Sequence, residues 1–208
     1  RLQNKSNQES IETVNEVKNL IQDKVLEFRR SEYVGPTISS ELLYRGFQAV
    51  SFALIAILIY IWLRFEWQFG FGAVVALTHD VLFTLGLLSV FNVEFSLATI
   101  AAILTIAGYS INDTVVIFDR VRENLRKYKK IELVEIFNLS INNTLSRTVM
   151  TSLTTLFALF SLYIFGGEVI RPFAMTMIIG VIIGTYSSVF IAVPTLLIFK
   201  FRPQDEDD

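Results

Sequence analysis

The chain has no cysteine, a single histidine and four prolines in 208 residues, and only 18% of it is charged. Without cysteine there is neither a disulfide framework nor a thiolate metal site, although the redox compartment stays open. One histidine makes a zinc centre improbable, and no cofactor is expected. No glycine-rich phosphate loop and no nucleophile paired with a base occurs, so the chain is not expected to be an enzyme. Any work it does must draw on a gradient or on a partner. The chain opens at Arg1 with no signal-peptide pattern, so it is expected to be a piece of a longer protein that has lost an earlier spanning segment.

What is abundant is apolar. Hydrophobic residues make up 52% of the chain, 18 of them phenylalanine, and mean hydropathy is +0.51. These values belong to a membrane protein. The net charge of −2 hides a segregation, with acids gathered in the tail QDEDD and Lys and Arg at the ends of the apolar runs.

Five such runs, at about 46–63, 69–90, 95–118, 141–165 and 173–199, reach or approach the ~20 residues a helix needs to span hydrocarbon. The expected fold is an all-α polytopic membrane bundle. Residues 1–45 are polar enough to lie outside it, with Ile11, Val14, Val17, Leu20, Ile21 and Phe28 marking an amphipathic helix over about 9–29. EYVGPTISSELLYRG then reads as a turn-containing exit towards the membrane. Residues 119–140 form a basic cytoplasmic loop or interfacial helix, and 200–208 an acidic tail.

Orientation follows from the cations. Arg64, Arg120, Arg122, Arg126, Lys127, Lys129, Lys130, Lys200 and Arg202 fall at one end of the spans, against Arg171 alone in the short loops at the other. The first end, and with it the C-terminus, is expected to be cytoplasmic. The run RVRENLRKYKK is better explained by this anchoring than by nucleic-acid binding, and no nucleic-acid partner is expected. Val121, Leu125 and Tyr128 share a helical face there, as in a helix lying in the interface.

Ionisable residues inside the runs are the candidate functional groups. Asp113 lies five positions inside Phe118, roughly 7–8 Å into the run. A charged carboxylate there costs about 2.5–3.5 kcal/mol, so it needs a proton or a partner. Arg147 is the strongest candidate partner, at roughly 9 Å of depth on the next, antiparallel helix; the alternative is that it snorkels to the interface. His79 and Asp80 sit near the middle of the second run, as a second polar pair or as a satisfied packing histidine. Tyr109, Ser110 and Asn112 surround Asp113 with groups able to hold a water chain. Gly180 and Gly184 form a GxxxG packing pair. Pro194 is expected to kink the last helix or sit near its end, and Pro172 fits a first turn. Ser and Thr at 151, 152, 154 and 155 are candidate interhelical glue.

GYSINDTVVIFDRVRENLR, LSRTVMTSLTTL, ALTHDVLFTLG, IIGTYSSVFIA and VGPTISSEL closely resemble, in order, the SecF family of the resistance-nodulation-division superfamily, over most of residues 33–199. The resemblance implies six transmembrane helices, of which this chain holds five, preceded by the C-terminal remnant of an α+β extracytoplasmic domain. It implies a bacterial inner-membrane location and, as partners, SecD, the SecYEG translocon, YajC, a translocating unfolded polypeptide and membrane lipid. It also implies use of the proton-motive force in late-stage protein translocation, with Asp113 of SINDT and Arg147 of LSRT at the positions associated with proton transport. Arg171–Pro172 departs from the family's acidic or small residue before the last helix, which bears on the outer loop. Two other readings stay open: a small-molecule or lipid exporter of the same superfamily, and a non-conducting translocon scaffold.

Overall fold

The structure, a computed structural model, describes Glu16, residues 36–93 and residues 96–199, with side chains in the first long range from Tyr44 onward. The chain divides into two compact units, Arg1–Gln48 and Ala49–Asp208; the core and the site belong to the second. Apart from Glu16, helical and exposed, the expected 9–29 helix lies outside the described residues, as do most of the α+β remnant and the acidic tail.

The regular elements between residues 36 and 198 are all helical. They are α1 Pro36–Arg64, α2 Trp67–Val90, α3 Leu97–Lys127, α4 Leu133–Phe165 and α5 Gly167–Ser187, followed by a π-helical turn Ser188–Ala192 and α6 Val193–Ile198. Five stretches, Tyr44–Arg64, Trp67–Val90, Leu97–Lys127, Leu133–Phe165 and Gly167–Ile198, are long and apolar enough to cross a membrane. The all-α polytopic bundle is the fold.

Several boundaries differ from the hydropathy reading. From Pro36 onward the exit segment is helical, within α1. α3 continues nine residues beyond Phe118 and α4 begins eight residues before Ile141, so the basic loop shrinks to 128–132. The cause is a continued apolar stripe. Val121, Leu125, Ile136 and Phe137 are buried against Phe118, while the cations occupy the opposite face. α5 starts at Gly167, whose φ of 74° lets the chain reverse directly after α4. Pro172 therefore sits in the second turn of α5 rather than the first. Pro194 opens α6 just after the π turn, where its missing N–H cannot serve the carbonyl of Phe190. The last span is thus broken two-thirds of the way along.

α2 and α4 pack round α3 and α5, and the bundle has three layers. At the basic end an apolar core gathers Ile61, Phe65, Phe69, Phe118, Val121, Ile136 and Leu196, with the rings of Phe69 and Phe118 edge-on at 5.2 Å. Towards the other end a smaller core holds Ala102, Ile106, Leu159, Met177 and Val181. Between the two, every helix from α2 to α5 contributes buried polar groups: Asp80, Ser110, Asp113, Thr148, Ser152 and Ser187. Apolar side chains above and below this polar layer fix its depth.

Candidate functional site

The layer is assembled by helix-to-helix contacts that follow from the sequence spacing. Gly180 and Gly184, one turn apart on α5, face Ile106 and Ser110, one turn apart on α3. A Cβ on Gly180 would overlap the Ile106 side chain, and one on Gly184 would lie 3.0 Å from Ser110 Cβ. This close approach is the packing that the GxxxG spacing predicts. It also presses Ser110 towards α2, where its hydroxyl donates to Asp80 Oδ2 at 2.5 Å. His79 Nδ1 lies 3.1 Å from the other oxygen, Asp80 Oδ1, and the imidazole stacks on Phe83. Asp80 is fully buried but both its oxygens are engaged.

Asp113 is held differently. It is 2% exposed, yet neither carboxyl oxygen has a hydrogen-bond partner among the described residues. The polar groups that act on it from across the helix interface are Arg147 and Thr148 of α4. Neither closes the gap: Arg147 is exposed and no ion pair joins it to Asp113, while Thr148 Oγ1 is also buried and unpartnered. Of the pairing expected from the sequence, an ion pair or a water-bridged pair, the direct form is absent in this conformation. Arg147 instead lines a cavity of about 270 Å³ between α3 and α4 with Val116, Asp119, Arg120, Glu123, Asn143 and Thr144. Asp113, Val116, Arg120 and Glu123 share one face of α3 at helical spacing, so the cavity lies along α3 on the basic side of the acid.

The other expected site residues divide. Tyr109 reaches α4, its hydroxyl donating to Thr155 Oγ1 at 3.3 Å, and Thr155 in turn donates to the Thr151 carbonyl at 2.9 Å. Ser152 and Thr185 join α4 to α5 at 2.6 Å. Asn112 is not brought to the site. It is exposed, because adjacent residues on a helix point about 100° apart. The sequence reading missed Thr148 and Thr84, both buried with unpartnered hydroxyls. The available signal was the four-residue recurrence of Ser140, Thr144, Thr148 and Ser152, all buried on one face of α4.

A bundle of membrane-length helices with a buried acidic layer between two apolar cores defines a polytopic membrane protein. The chain matches the family "Protein export membrane protein SecD/SecF, C-terminal" over residues 13–202. It belongs to that family. It is 54% identical over 176 residues to the protein translocase subunit SecF of Rickettsia rickettsii, covering 85% of this chain and 57% of that protein. It is 55% identical over 173 residues to the corresponding subunit of Rickettsia bellii, covering 83% of this chain and 57% of that protein. Among solved structures it is similar to SecDF of Thermus thermophilus, a translocon-associated membrane protein, with TM-score 0.82, 42% identity, 91% of this chain and 26% of that one. SecDF in a super-membrane-facing form matches with TM-score 0.74 and 39% identity, over the same shares of the two chains. The chain thus spans a little over half the length of these curated relatives.

Proposed function

We propose that this chain is the membrane part of a SecF-type subunit of the bacterial inner membrane, with its basic end and C-terminus cytoplasmic. In this reading it works with SecD beside the SecYEG translocon and YajC, and couples inward proton flow to the late stage of export of an unfolded polypeptide. Asp113 carries the proton. The observation that carries this reading is the contrast within one layer: Asp80 has two hydrogen-bond partners, whereas Asp113 is as well buried and has none. A carboxyl in that position is stable in the membrane when protonated and costly when charged. Its ionisation becomes reversible when water or the Arg147 guanidinium moves in. One charge crossing 100 mV yields about 2.3 kcal/mol, comparable to the cost of exposing that acid to hydrocarbon. Helix tilting that follows the switch would be passed to the extracytoplasmic domain that precedes α1.

The test is Asp113→Asn in the full-length protein within the complete complex, reconstituted in vesicles that export a model preprotein. The export component that depends on the proton-motive force is expected to fall by about tenfold or more, with assembly on SecD unchanged. Undiminished export would remove Asp113 from the mechanism and favour the scaffold reading.

A further inference from the structure

Along α4 nearly every serine and threonine hydroxyl is spoken for. Ser140 donates to the Ile136 carbonyl, Thr144 to Ser140, Thr151 to Arg147, Thr154 to Met150 and Thr155 to Thr151, and Ser152 is joined to Thr185. This back-bonding to the fourth preceding carbonyl is the ordinary resting place of a hydroxyl on a membrane helix. Among the buried hydroxyls of α4, Ser140, Thr144, Thr148 and Ser152, Thr148 is the exception. Its hydroxyl is buried, 1% exposed, makes no close hydrogen bond among the described residues, and faces the Asp113 carboxyl of α3, which is buried and likewise without a close partner among them.

One turn nearer the basic end, Thr144 lies on the same face of α4 and lines the cavity that also contains Arg147, Asp119 and Glu123. Thr148 and Thr144 are thus about 6 Å apart along the helix axis, a gap that one or two hydrogen-bonded waters span. A hydroxyl can accept and donate at once, so it can hold a water chain that neither an apolar side chain nor a fixed cation could hold.

We propose that Thr148 is the positioning residue through which Asp113 exchanges its proton with water in the α3–α4 cavity, its hydroxyl holding the water that bridges the carboxyl to Thr144. The inference rests on the reading of Asp113 as the proton carrier and adds the side from which the acid discharges. The Asp113 carboxyl gives its proton to the water on Thr148. That water releases one of its own protons to the next water, at Thr144, and the excess proton leaves through the cavity. Each water gains one proton and loses one, and the only group whose charge changes is Asp113, with the Arg147 guanidinium at the cavity wall.

A packing role and a relay role make opposite demands at this position. Thr148→Val keeps the shape and removes a hydroxyl that makes no close hydrogen bond among the described residues, so packing alone predicts a variant as stable as the parent or more so. The relay predicts a functional loss from that same change. The experiment measures proton flux under an imposed potential, and preprotein export, with the full-length protein in its complete complex in vesicles, alongside thermal stability. Thr148→Val is expected to lower flux by about tenfold or more without lowering stability, and Thr148→Ser to restore most of it. Thr154→Val, whose hydroxyl is back-bonded on an exposed face, is expected to leave flux unchanged. Full flux in Thr148→Val while Asp113→Asn is inactive overturns the role of Thr148 and leaves that of Asp113 standing. Full flux in Asp113→Asn overturns the reading beneath it. If Thr148→Val fails to assemble, Thr148→Ala, which removes the hydroxyl without adding bulk, is judged by the same criterion.

Discussion

Asp80 and Asp113 occupy one layer of the bundle, and what separates them is the company each keeps. Ser110 is the hinge of that difference, since its hydroxyl, one turn from Asp113 on the same helix, is committed across the interface to Asp80. Ser110→Ala would leave one oxygen of a fully buried carboxyl without its donor. The expected result is a loss of about 1–3 kcal/mol, read as a lower melting temperature of the purified full-length protein in detergent; an unchanged melting temperature would show that the bond contributes nothing. At this scale the sequence was legible where charge was the signal. Asp80, Asp113 and Arg147 stand out in apolar runs because hydrocarbon rejects them. For Thr148 the four-residue recurrence of Ser140, Thr144, Thr148 and Ser152 marks a shared buried face, but among them only the missing back-bond singles it out, and that is visible in the structure alone. The placing of Asn112 failed for a geometric reason, since being next to Asp113 in sequence puts it on a different face.

Between helices, the relation that sets the layer is the α3–α5 contact. A Cβ added at Gly180 would meet Cδ1, Cγ1 and Cγ2 of Ile106, with Cγ2 at 2.8 Å, and Ile106 is a β-branched residue only 1% exposed. Alanine gains roughly 1 kcal/mol over glycine in helix propensity, whereas overpacking of this kind costs about 1–3 kcal/mol. The clash involves the whole side chain, so overpacking is expected to win and Gly180→Ala to destabilise. Adding Ile106→Ala should recover part of that loss, giving a coupling of about 0.5–3 kcal/mol in a double-mutant cycle of thermal stabilities. Strict additivity would mean that α3 and α5 do not meet there. The GxxxG spacing made this contact readable, since its physical content is close backbone approach. The helix ends were less readable, because hydropathy marks where a helix leaves hydrocarbon and not where it stops. α3 and α4 run on past that point on buried Val121, Leu125, Ile136 and Phe137. The π turn at Ser188–Ala192 has no mark in composition beyond Pro194, and its start at buried Ser188, next to buried Ser187, puts the break in the last span at the edge of the polar layer.

For the molecule as a whole, the direction of the proposed proton path depends on which end of the bundle faces the cytoplasm. Among the described residues Arg64, Arg120, Arg122, Arg126, Lys127, Lys129 and Lys130 lie at the end where α1 and α3 finish and α2 and α4 begin. Several of these cations are tied to acids at the same end, Arg64 to Asp119 at 2.8 Å and Arg120 to Glu123 at 2.8 Å. Such half-exposed pairs add little stability and do not cancel the orientation signal, because acidic residues contribute little to the positive-inside bias. These 208 residues hold no cysteine, so a thiol introduced among them is the only one they contain, and the unsubstituted protein serves as the labelling blank. Glu168 and Lys130 are both exposed and lie at opposite ends of α4. In intact spheroplasts a membrane-impermeant maleimide is expected to label Glu168→Cys at once, and Lys130→Cys only after permeabilisation. The reverse pattern would put the α3–α4 cavity on the outer side. Asp113 would then load its proton through Thr148 rather than release it there, with the same residues and the opposite direction of flow.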